Sequence, residues 1–177
     1  MKQFLFCLLI ACTILSCNNE ADKTTAATTD STTATTVTLP YTASYSSSWT
    51  TDVSDTDLKM VLTSYKDWAD GNMIGLANAF GDTLEFDSWN GDHMKLGKID
   101  LIKMWTGFRD SLSSVTIDMQ AWDKKYSTDK KESHVVVWYK EIDTYKDGRI
   151  DSSSWHDINR VKDGKIVWYS QFKRQLK

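Results

Sequence analysis

The chain is predicted to be an α+β domain whose N-terminal helices pack on one side of a curved antiparallel β-sheet. Three observations predict this. Segments with apolar residues at three- and four-residue steps come first, over 58–68, 73–80 and 99–112. Long alternating runs follow from Ser114 to the end of the chain. Two Asp-Gly pairs, Asp147-Gly148 and Asp163-Gly164, separate those runs and are strong hairpin signals.

Residues 1–17 stand apart from that domain. Lys2 is followed by an unbroken apolar run over 4–15, too short to span a bilayer and so read as a secretory signal. It ends at Ile14-Leu15-Ser16-Cys17, which resembles the lipobox of bacterial lipoproteins. The resemblance implies cleavage before Cys17, its acylation, and a protein anchored by lipid in the cell envelope. The outer membrane is the expected membrane, on its periplasmic or surface side. Several acyl chains hold a protein stably, each buried CH₂ contributing about 0.8 kcal/mol. Cys7, Cys12 and Cys17 are the only cysteines, so the domain has neither disulfide nor thiolate chemistry. Residues 18–47 are Thr-rich and almost without large apolar side chains. They read as a disordered linker, with the domain over 48–177.

The formal net charge is −3, and removing a leader whose one charged side chain is Lys2 makes it more negative. No stretch is clustered in Lys and Arg, which argues against nucleic acid as a partner. Eight tryptophans, at 49, 68, 89, 105, 122, 138, 155 and 168, call for a tightly packed core or a ring-lined cavity.

Ser54 and Asp55 suit the N-cap of a first helix, whose apolar face is Leu58, Val61, Leu62, Tyr65 and Trp68. Asp70-Gly71 stops it, and Asn72 caps a second, short helix that Gly81 ends. Residues 82–89 alternate, with Leu84 and Phe86 on one face and Glu85 and Asp87 on the other, as in a strand. A turn-rich or extended segment lies between Asn90-Gly91 and Gly97. The helix over 99–112 follows, with Gly107 a weak point costing about 1 kcal/mol relative to Ala. Residues 114–123 alternate Val115, Ile117, Met119 and Ala121 against Thr116, Asp118, Gln120 and Trp122. A charged loop leads to a strand over 134–145, and the last hairpin occupies 154–172. There Val161, Ile166, Trp168 and Phe172 offer apolar surface. His156, Asp157, Asn159 and Gln171 are polar groups suited to a cavity.

This order of elements, with "AFGDTLEFD" at the first strand and "VKDGKIVWY" at the last hairpin, resembles the nuclear transport factor 2-like (NTF2-like) superfamily. Within it, the SnoaL-like cyclases and ketosteroid isomerases are the nearest comparison. The resemblance covers about 54–175 and implies a cone in which a curved sheet wraps the helices around an apolar pocket. The superfamily holds enzymes and non-catalytic binding modules alike, so the fold does not choose between them.

The ketosteroid isomerase comparison implies a catalytic set. Tyr65 would be the helix tyrosine, Asp157 the protonated acid that donates to an enolate, and Asp87 the carboxylate that moves the proton. Trp68, Phe86, Trp89, Trp105, Trp155 and Gln171 are the expected pocket residues. Gln171 falls where the cyclases place an acid, and an amide can bind a ligand but cannot exchange its proton. His156 faces away from Asp157 on a strand and is a candidate neighbour of Tyr139, Glu141 or Gln171. No metal-ligand spacing, phosphate loop or dinucleotide fingerprint occurs, so no cofactor and no metal are expected. Three readings result: a lipid-anchored module binding a small apolar ligand, a cofactor-independent enzyme moving a proton next to a carbonyl, and an interaction module that dimerises through its sheet face.

Overall fold

The computed structural model describes residues 38–176, and the leader, Cys17 and most of the Thr-rich segment lie outside the described residues. The elements run β1 (Trp49–Thr50), α1 (Asp55–Asp70), α2 (Met73–Ala79), β2 (Phe80–Asp87), β3 (His93–Gly97), α3 (Lys98–Arg109), β4 (Leu112–Ser127), β5 (Glu132–Tyr145), β6 (Ile150–Lys162) and β7 (Lys165–Gln175). The fold is α+β, as the sequence predicts. The strands described form one open sheet in the order β1-β4-β5-β6-β7-β2-β3. Its neighbours are antiparallel except β2 and β7, which run parallel and are joined by the long connection through β3–β6 that a parallel pair needs.

The compact unit begins at Pro40, upstream of the boundary expected at Ser48. Polar anchors explain the difference. The Tyr45 hydroxyl bonds Glu132, Ser46 Oγ donates to Asp129 at 2.6 Å, and β1 pairs with the end of β4.

Ser54 caps α1 by accepting from the Asp57 amide at 3.0 Å. Gly71, at φ 73°, ends it in the left-handed conformation that glycine tolerates best. Arg109, in the last turn of α3, donates to the carbonyls of Trp68 at 3.2 Å and Ala69 at 3.1 Å. A cation thus satisfies the free carbonyls at the end of α1 and ties two helices together. The short helix α2 stops one residue earlier than its apolar pattern suggests. Phe80 is already extended and pairs with Ile166 of β7.

Val61, Leu84, Leu101, Val135, Val137 and Ile166 have essentially no exposed surface and form the centre of the core. They come from α1, α3 and one face of the sheet, so the helices cover that face only. Two bulges decide which side chains reach it. In β4 the register shifts between Met119 and Ala121, so the simple alternation expected over 114–123 breaks at Gln120. In β7 the register shifts opposite Arg160/Val161, leaving Val167 as the extra residue. Ile166 and Tyr169, three positions apart, then both point inward. Trp168 and Phe172, expected on the apolar side with Ile166, lie on the outer face instead.

Candidate functional site

Between α1, α3 and the inner face of β5–β7 lies a cavity of about 710 Å³, within the size range of small-molecule sites. Its walls are largely aromatic. Trp68 and Phe108 stack in parallel planes with centroids 6.0 Å apart. Trp105 meets Phe80 edge-on at 4.9 Å and stands against Phe86 and Tyr169. Trp89, Trp155 and Gln171 complete the set expected from sequence, so all six predicted pocket residues are on the wall.

The inner end of the cavity is built on Asp157, which is fully buried. Three tyrosine hydroxyls donate to its Oδ2: Tyr65 at 3.1 Å, Tyr139 at 2.8 Å and Tyr169 at 2.6 Å. Alternation on the strands brings them together. Val137 sits opposite Asp157 on β6, and Asn159 sits opposite Tyr169 on β7. Asn159 Nδ2 donates to the Tyr65 oxygen at 3.1 Å, and Gln171 Nε2 to the Tyr169 oxygen at 2.9 Å. Burial pushes the Asp157 carboxyl up to about 7, against the lowering pull of the three tyrosines and Gln171. Burial and the adjoining Asp157 charge hold all three phenols well above their ordinary value. Asp157 Oδ1 is sealed from solvent and has no partner among the described residues.

Glu141 and Asp143, further along β5, also face the cavity. Burial, together with the charges of Asp143 and Asp157, raises Glu141 to about 8. Burial and Asp151 raise Asp143 to about 6, while Lys173 and Arg109 pull it down. Lys173 itself pairs with Asp151 at 3.3 Å.

The predicted catalytic residues do not converge. Tyr65 and Asp157 are bonded to each other, but Asp87 is on the opposite face of β2. There it accepts from Trp168 Nε1 at 2.8 Å and lies 2.5 Å from His93 Nδ1. The cause is alternation: Phe86 points into the cavity, so its neighbour must point out. His156 likewise faces outward, stacked on Trp138 at 4.9 Å and beside Phe172, rather than near Tyr139, Glu141 or Gln171. Tyr139, Tyr169, Glu141 and Asp143 are site residues that were not singled out from sequence. The signal for three of them was the two-residue step 139, 141, 143 on one strand face.

No family model matches the chain, and no curated protein matches it. Solved structures do. An LEH-like epoxide hydrolase of M. tuberculosis has a TM-score of 0.57 at 9% identity, covering 67% of this chain and 83% of its own. An NTF2-like protein of unknown function from Burkholderia pseudomallei has a TM-score of 0.55 at 13% identity, covering 68% and 92%. A ketosteroid isomerase-like fold from Catenulispora acidiphila, solved with trimethylamine, has a TM-score of 0.53 at 13% identity, covering 64% and 84%. These neighbours include enzymes and proteins without an assigned activity, and at such identities the likeness concerns the fold. The chain from Pro40 onward has the NTF2-like fold: three helices on the inner face of a curved, open, seven-stranded sheet.

Proposed function

We propose that this protein is a lipid-anchored envelope protein whose NTF2-like cavity binds a small, mostly apolar ligand. One observation carries the binding reading. The cavity is ring-lined and large enough for a ligand, yet the hydroxyl protons of Tyr65, Tyr139 and Tyr169 are all engaged by Asp157. An enolate needs donors aimed at its developing charge. Here the three best placed donors are turned away from the space a substrate would occupy. Gln171 keeps one amide hydrogen beyond its bond to Tyr169 and suits an orienting contact. The leader and the Cys17 box support anchoring by lipid.

The test uses the walls themselves. Trp68, Trp89, Trp105 and Trp155 line the cavity, so ligand entry changes the intrinsic fluorescence. Titration with fractions of the small molecules of the parent cell is expected to give a saturable change and a rise in melting temperature. No saturable change with any fraction would contradict the reading.

A second reading, a cofactor-independent enzyme moving protons, is favoured by Glu141 and Asp143. Near neutral pH Glu141 holds its proton and Asp143 has lost most of its own, an arrangement suited to acid and base roles. In that reading these two replace Asp87 as the groups that exchange protons. As for partners, the outer row Trp138, His156 and Phe172 supports pairing with a second copy through the sheet face. Phe172→Lys is expected to leave a monomer by light scattering if that pairing occurs.

A further inference from the structure

Carboxyl groups dominate the polar lining of the cavity, beside Trp155 Nε1 (unpartnered among the described residues), the Glu141 proton and one amide hydrogen of Gln171, and this bears on the class of ligand. Glu141 and Asp143 turn into it with 7% and 8% of their surface exposed. Asp143 Oδ1 is closed off from solvent and unpartnered among the described residues. The cations nearby already have partners, Lys173 within the cavity wall itself. Lys173 bonds Asp151, and Arg109 donates to the carbonyls of Trp68, Ala69 and Leu112. Tyr65, Tyr139 and Tyr169 give their protons to Asp157 and keep only lone pairs to offer.

The aromatic walls fit the same chemistry. Lys173 Nζ lies 5.1 Å from the ring centroids of both Trp89 and Trp155. Two indoles of the cavity thus already flank a cation, and the faces of tryptophan rings attract positive charge. An anion would meet the carboxylates of Asp143 and Asp151, with Lys173 already paired to Asp151. A neutral, aprotic ligand would leave Asp143 Oδ1 without a donor, at the cost of a buried unpaired acceptor.

We infer that the ligand is a small organic amine held as its ammonium ion, its N–H groups on Glu141 and Asp143 and its apolar body against Trp68, Trp105 and Trp155. This rests on the reading of the cavity as a ligand site. Because Glu141 carries a proton near neutral pH, binding an ammonium ion beside it breaks the Glu141 O–H bond. That proton goes to the buffer, and the N–H bonds of the amine stay intact. The groups that set this release are Asp143 on the same strand, Asp151 and Asp157 on β6, Lys173 on β7 and Arg109 on α3.

The experiment compares three probes of one shape, benzylamine, benzyl alcohol and benzoate, by tryptophan fluorescence on the full chain. Benzylamine is expected to bind at least about ten-fold tighter than benzyl alcohol, with benzoate weakest. In Glu141→Gln/Asp143→Asn the preference for the amine is expected to fall to near parity while benzyl alcohol still binds. Calorimetry in two buffers of different ionisation heat should show proton release with benzylamine at neutral pH, and its loss in Glu141→Gln. Equal or tighter binding of benzyl alcohol or benzoate to the unsubstituted chain overturns the amine assignment and leaves the cavity reading standing. Failure of all three probes to bind overturns both. Should the double variant not fold, the probe ranking on the unsubstituted chain still decides.

Discussion

The Tyr169 hydroxyl lies 2.6 Å from Oδ2 of Asp157, the shortest of three tyrosine bonds that close on that single oxygen. The contact depends on the bulge at Val167, which turns Tyr169 inward beside Ile166. It joins β6 to β7, and through Tyr65 and Tyr139 the same oxygen also ties in α1 and β5. Removing the acceptor leaves three buried hydroxyl protons without an acceptor. Asp157→Ala is therefore expected to lower stability by about 3–5 kcal/mol in urea unfolding. Asp157→Asn keeps one acceptor oxygen and is expected to lose clearly less. Equal losses would show that the hydroxyl bonds are not what the side chain contributes.

Stability should fall as the medium becomes more alkaline. The folded state holds Glu141, Asp143 and Asp157 at about 8, 6 and 7, above ordinary carboxyl values. Between about pH 4 and pH 8 the folded chain therefore keeps protons that the unfolded chain has released, and stability declines across that window. Asp129 and Asp151 are lowered instead, so their contribution is lost only as pH falls below about 4. Burial lowers His134, which works in the opposite sense below about pH 6.5. Melting curves at pH 5 and pH 8 measure the slope, and Glu141→Gln is expected to flatten its upper part.

Asp87→Asn should leave probe binding in the cavity unchanged within about two-fold, because the side chain bonds Trp168 and His93 on the outer face. A ten-fold loss of affinity would return Asp87 to the site. A modest loss of stability is the expected effect, since the indole N–H of Trp168 keeps a weaker, neutral acceptor.

Trp105 packs edge-on against Phe80, Phe86 and Tyr169 while also forming cavity wall. Trp105→Ala is expected to cost about 2–3 kcal/mol, below the range for a fully buried tryptophan because the side chain is only half-buried. It should also weaken probe binding. Denaturant unfolding and the fluorescence titration read the two effects separately.

What was legible in the sequence, and what was not, follows from strand geometry. The face of α1 that carries Tyr65 and Trp68 was plain from helical spacing, and both Asp-Gly turns sit where expected. Asp163 and Gly164 both have positive φ, as a two-residue hairpin turn of this kind requires. Asp157, Asn159 and Gln171 were marked as groups suited to a cavity; Asn159 and Gln171 line it, and Asp157 lies behind the three tyrosines. Tyr169 was hidden because a period of two, counted from Ile166, sends it outward, and only the extra residue Val167 reverses that. Phe86 and Asp87 were both assigned to the pocket, although neighbours on a strand face opposite ways. Glu141 entered only as a candidate neighbour of His156, and Asp143 not at all. Only the void enclosed by α1 and α3 makes their face interior, and no local pattern reports a void.

Cys17→Ser is expected to move the protein from the membrane fraction to the soluble fraction and to abolish incorporation of labelled fatty acid. Unchanged partitioning would remove the lipid anchor from the proposal while leaving the cavity untouched, because residue 17 lies well upstream of the compact unit that begins at Pro40.

A crystal structure of the chain soaked with benzylamine tests the central claim most directly. The expected result is ordered probe between Trp105 and Trp155, its nitrogen within hydrogen-bond distance of Glu141 or Asp143 and the tyrosine bonds to Asp157 intact. Probe bound only on the outer sheet face, or a cavity closed by rotation of Trp68 and Trp105, would contradict it.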